Sequence, residues 1–133
     1  MRGKSDRDGP RVLIVEDDYL VASQAEAALI DGGFDVIGIA DSITDALAMA
    51  EKRRPEVVIM DIRLKGERDG IQGAAELLTL HGARSIFVTA HYDADTRRRA
   101  EAAAPLGWLP KPYAIDELVA LTRRAVQEIR AGR

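Results

Sequence analysis

The chain has 133 residues, with 19 Lys and Arg against 22 Asp and Glu, two histidines and no cysteine. That length suits one domain with a real core, while the missing cysteines exclude disulfides, thiolate catalysis and Cys-ligated zinc, and two histidines argue against a His-rich metal site. A net charge of −3 disfavours a nucleic-acid binder that works through phosphate contacts, and apolar runs such as Val12–Val15 are too short for a membrane span or a signal segment, so the chain reads as soluble and cytoplasmic.

Met1–Pro10 carries five charged residues, two glycines and a proline, and reads as a disordered lead-in to a folded domain over 11–130. Val12–Val15 predicts a strand, followed by Glu16-Asp17-Asp18. Leu20, Val21, Gln24, Ala25, Ala28 and Leu29 fall on one helical face that ends at Gly32-Gly33. Val36–Ala40 is a second strand. Ser42 is an N-cap for a helix carrying Ile43, Ala46, Leu47 and Ala50 inward, and Val57–Met60 is a third strand ending at Asp61. The charged loop Ile62–Asp69 leads to a helix over 70–81, with Ile71, Ala74, Ala75 and Leu78 inward. Ser85–Thr89 is a fourth strand, 93–104 an Ala- and Arg-rich helix stopped by Pro105, and Gly107–Leu109 a short fifth strand. Ile115, Leu118, Val119, Thr122, Ala125, Val126 and Ile129 draw the stripe of a last helix. Five β–α units whose strands are apolar on every residue predict an open, doubly wound parallel α/β sheet with helices on both faces. In such sheets function gathers at the C-terminal strand ends.

Glu16 and Asp17 follow the first strand, Asp61 ends the third, Thr89 ends the fourth and Lys111 follows the fifth. Each alone is an ordinary residue for its place. Together, three carboxylates on one sheet edge repel, and without a cation at least one should hold its proton more tightly. Mg²⁺ suits such an oxygen donor set, because it takes one or two carboxylates, keeps waters and shares a phosphate. A hydroxyl and an ammonium nearby complete a phosphoryl-binding site, and a carboxylate there can act as nucleophile. Asp61 is the best candidate.

Val12–Asp18, Val57–Asp61, Phe87–Ala90 and Lys111-Pro112-Tyr113, taken together, resemble the receiver domain of bacterial two-component response regulators, over Arg11 to about Arg130. The resemblance implies a flavodoxin-like five-stranded sheet of order 2-1-3-4-5 and a signalling switch, not an enzyme beyond its own Mg²⁺-dependent phosphorylation and dephosphorylation. It implies that Asp61 is phosphorylated by a sensor histidine kinase or a histidine phosphotransfer protein. Glu16, Asp17, Asp61 and the backbone carbonyl of Arg63 would arrange Mg²⁺, and Thr89, Ala90 and Lys111 would hold the phosphoryl group. Thr89 and Trp108 would form the switch, and the Lys111–Pro112 peptide would be cis. An output protein would read the changed surface, with no nucleic acid or membrane as partner. A homodimer through the face of the fourth helix, fifth strand and last helix fits the same picture. Two departures stand out: Leu64 and Lys65 occupy positions where the family commonly has Met-Pro or Leu-Pro, and Asp69-Gly70 comes one residue late.

Other residues have plainer readings. Arg97–Arg99 reads as a solvated helix face, His91 as a loop histidine at the site mouth, and His81 as a helix C-terminal residue. Arg63 and Lys65 read equally as surface charge or as a device steering an anionic donor. A haloacid-dehalogenase-type phosphatase would need an Asp where Arg63 stands. A nucleotide-binding module would need a glycine or hydroxyl loop where Glu16-Asp17-Asp18 stands. A receiver-like scaffold that is never phosphorylated would not need Asp61, Thr89 and Lys111 together.

Overall fold

Five parallel strands, β1 (Arg11–Val15), β2 (Asp35–Ala40), β3 (Val57–Asp61), β4 (Arg84–Thr89) and β5 (Gly107–Pro110), form one sheet in the order β2-β1-β3-β4-β5. This is the doubly wound arrangement expected from the sequence. The structure is a computed structural model that describes residues 8–64, 66 and 69–132. Most of the lead-in and Lys65 lie outside the described residues.

Alternation along the buried strands feeds two cores. Leu13, Val15, Val58, Met60 and Phe87 pack under α2 (Ile43–Lys52), α3 (Gly70–His81) and α4 (Ala94–Ala100). Val12, Ile14, Val57, Ile59, Ile86 and Val88 pack under α1 (Tyr19–Asp31) and α5 (Ile115–Arg130). Strand order reverses between β1 and β3, which pair from Val12↔Val57 to Val15↔Met60. Among the described residues, no helix is long and apolar enough to cross a membrane.

Three local expectations are corrected. Leu20 is 67% exposed, not inward. Asp18 caps α1 by accepting from the N–H groups of Leu20 and Val21, and the helix then buries Ala22, Ala25 and Leu29. In α3 the fully buried leucine is Leu77, with Leu78 only half-buried. The helix over 93–104 is α-helical only to Ala100. Glu101–Ala103 tightens into a 3₁₀ turn, and Ala104 takes a left-handed φ of 51° that breaks the helix before Pro105.

Candidate functional site

The loops at the C-terminal ends of β1, β3, β4 and β5 bring the acids, the hydroxyl and the lysine to one edge. Ligand atoms of Glu16, Asp17 and Asp61 lie within 4.8 Å of one another. Glu16 and Asp61 are 7% and 4% exposed. Asp61 Oδ1 accepts from the Arg63 N–H at 3.2 Å, and its Oδ2 stands 3.2 Å from Lys111 Nζ. Lys111 also reaches Glu16 Oε1 at 3.5 Å, while Glu16 Oε2 accepts from the Asp18 N–H at 3.1 Å.

The electrostatics follow from that crowding. Burial pushes the Glu16 carboxyl up to about 7, and the Asp61 charge and hydrogen bond add to it, against the pull of the Asp18 N–H and Lys111. Burial alone would lower the Lys111 ammonium, but Asp61 and Glu16 outweigh it and raise it. One ammonium therefore does not balance the buried acids, and Glu16 is held above the usual carboxylate range. A divalent cation would balance the acids better, so the donor set fits Mg²⁺: hard oxygens, clustered, on buried stems.

Lys111 is aimed by its backbone. Its N–H donates to the Thr89 carbonyl at 2.9 Å, and the Lys111–Pro112 peptide is cis. The Thr89 hydroxyl accepts from the His91 N–H at 3.0 Å. A cleft of about 450 Å³ opens beside the acids, lined in part by Asp17, Arg63, Thr89, His91, Asp69 and Arg99. Ala90, Lys111, Pro112 and Tyr113 line a second groove. Asp61 is held in place from behind by Gly70, which opens α3. Its N–H donates to the Ile62 carbonyl at 2.8 Å, and a Cβ there would fall 2.2 Å from the Asp61 carbonyl oxygen. Only glycine allows that approach.

Trp108 pairs in register with Phe87 and stacks on it at 5.0 Å between centroids. Its other aromatic neighbour among the described residues is Tyr92, at 5.1 Å between centroids. Sequence reasoning did not single out Tyr92, although its place three residues after Thr89 was a signal. Arg97–Arg99 are all exposed, as expected of a solvated face, and each also has a partner. Arg98 pairs with Asp95 within the helix, Arg99 pairs with Asp69, the N-cap of α3, at 2.7 Å, and Arg97 lies over the Tyr92 ring at 5.4 Å.

Comparison with known proteins agrees with this geometry. The family model for the response regulator receiver domain matches residues 12–123. The transcriptional regulatory protein PdtaR of Mycobacterium tuberculosis is 33% identical over 120 residues, covering 90% of this chain and 58% of PdtaR. The DNA-binding transcriptional regulator NtrC of Salmonella typhimurium is 32% identical over 116 residues, 86% of this chain and 24% of NtrC. The chain thus spans little more than half, or less, of these curated relatives. The signal receiver domain of a modulated diguanylate cyclase from Desulfovibrio desulfuricans superposes with a TM-score of 0.85 at 35% identity, covering 94% of this chain and 99% of that one. A CheY-like receiver domain from Methanospirillum hungatei, at 21% identity and a TM-score of 0.81, covering 93% of this chain and 99% of that one, shares the fold. With a family model spanning most of its length, a matching sheet topology and full-length structural relatives, the chain belongs to the response regulator receiver domain family.

Proposed function

We propose that Asp61 accepts a phosphoryl group from the phosphohistidine of a sensor kinase or phosphotransfer protein, and that this switches the surface read by an output protein. The observation that carries the reading is the buried Asp61 carboxylate, ion-paired to Lys111 at 3.2 Å beside two further acids. In the transfer, an Asp61 oxygen forms the new P–O bond as the P–N bond breaks, and the imidazole nitrogen keeps the electron pair. Lys111 balances charge on Asp61 and then on the phosphoryl oxygens, and the Thr89 hydroxyl and the backbone at Ala90 hold an oxygen once Thr89 turns from His91. Glu16, Asp17, Asp61 and the Arg63 carbonyl would hold Mg²⁺, which supplies charge neutralisation between the carboxylates and the incoming phosphoryl oxygens.

The switch would run from Thr89 to Trp108. Phe87, Thr89 and Trp108 belong to the same side of the sheet by alternation and register, which favours a direct steric link. The folded receiver unit is taken as 11–130 and its setting as the cytoplasm, where a kinase partner would meet it. Dimerisation would run through the face of α4, β5 and α5, where α4 buries only Ala100 of its own residues.

Acetyl phosphate with Mg²⁺ tests the reading. Wild type should take up an alkali-labile phosphoryl group, and Asp61→Asn should lose it. Full base-labile labelling of Asp61→Asn would place the acceptor elsewhere.

A further inference from the structure

The three consecutive arginines of α4 have three different environments, and two of them leave the helix. Arg99 Nη2 donates to Asp69 Oδ2 at 2.7 Å. Arg97 covers Tyr92, Tyr92 covers Trp108, and Trp108 lies on Phe87. The helix itself has seven residues, of which only Ala100 is buried. Little packing holds it, so the two side-chain tethers matter for where it sits.

Asp69 is more than a partner for Arg99. Its Oδ1 accepts from the Gln72 N–H at 3.0 Å, and the Gln72 side chain returns to the Asp69 N–H at 2.9 Å, so it caps α3. The next residue is Gly70, seated on the Asp61 carbonyl. A shift of Asp69 therefore moves backbone that is in van der Waals contact with the backbone of Asp61.

We propose that Arg99 is a positioning residue: it ties the backbone behind Asp61 to α4, so that filling the acidic site with a cation is felt, through α4 and Arg97, at the Tyr92–Trp108 stack. This route runs on the α3 side and does not need the Thr89 hydroxyl. It rests on the reading of Glu16, Asp17 and Asp61 as a Mg²⁺ site. Both ends of the Arg99 pair are partly exposed, so the pair itself tunes affinity only modestly, while its effect on coupling is direct.

The test titrates Mg²⁺ into the full chain and follows binding heat and Trp108 fluorescence in parallel. Wild type should show heat and a Trp108 response that saturate together. Arg99→Ala should keep the binding heat, with affinity weakened less than about fivefold, and lose at least half of the Trp108 response. Arg99→Lys should recover part of it, and Arg98→Ala should behave as wild type. Should Arg99→Ala fold poorly, Asp69→Asn, which keeps the cap acceptor, should show the same loss. A full Trp108 response in Arg99→Ala or Asp69→Asn overturns the proposal. Binding heat without a Trp108 response in wild type also overturns it while leaving the cation site intact, whereas no heat in wild type removes the cation site itself, and the proposal with it.

Discussion

Lys111 and Asp61, 50 residues apart in the chain, meet at 3.2 Å on the edge of the sheet, and Glu16 shares the same ammonium at 3.5 Å. One positive charge between two buried carboxylates leaves an excess of negative charge. Burial, with the Asp61 charge adding to it, holds the Glu16 carboxyl above its ordinary range.

Glu16 ionises near 7 in the folded chain against 4.5 for an ordinary glutamate. Between those values the native state keeps a proton that the unfolded chain has released, so stability falls as pH rises through that window and then levels off. In EDTA, urea unfolding should show a loss of up to about 3 kcal/mol between pH 5 and pH 8. Glu16→Gln should flatten that slope and exceed wild-type stability at pH 8. Equal slopes in the two proteins would mean that Glu16 is not the titrating group.

Asp17→Ala removes one of three clustered oxygens and should abolish Mg²⁺ binding heat and, with it, labelling by acetyl phosphate. In EDTA the variant should be at least as stable as wild type, because the repulsion is relieved. Undiminished Mg²⁺ heat would move the cation away from this cluster.

Trp108 is the only tryptophan, packed between Phe87 and Tyr92. Beryllofluoride with Mg²⁺, a mimic of the phosphorylated acid, should shift its emission maximum or its quenching by acrylamide beyond the effect of Mg²⁺ alone. Thr89→Ala should erase that extra change. An identical spectrum with and without beryllofluoride, both at saturating Mg²⁺, would leave Trp108 outside the phosphoryl-dependent switch.

Gly70→Ala should cost about 2–3 kcal/mol, since the added methyl meets backbone that cannot yield. The same variant should label more slowly than an equally destabilised core variant such as Leu77→Ala. Equal labelling rates in the two would show that the backbone behind Asp61 does not need that seat.

The sheet and the acidic edge were legible because each rests on local signals. Strands apolar on both faces announce a covered parallel sheet, and strand ends mark where Glu16, Asp61, Thr89 and Lys111 must lie. The failures share a different cause. Leu20 was misplaced because an Ala-rich helix offers two plausible stripes, and the Asp18 cap settles which one turns inward. The 93–104 pattern continues helically to Pro105, yet packing of Ala100 and Ala103 against the sheet ends the α-helix early. Arg97 and Arg99 are solvated as read, but their partners, Tyr92 across a turn and Asp69 at the start of α3, leave no trace in helical periodicity.

The strand order has a consequence for the timing of synthesis. β1 meets β3 only after β2 and α2 have been made, and Lys111 is hung from β4 through the Thr89 carbonyl once β5 has docked. Glu16 and Asp61 thus come together midway along the chain, and their counter-charge arrives last. A nascent chain on the ribosome, or a fragment clipped before β5, holds the Asp61 carboxylate without Lys111. Competence for the proposed transfer is then a property of the finished domain.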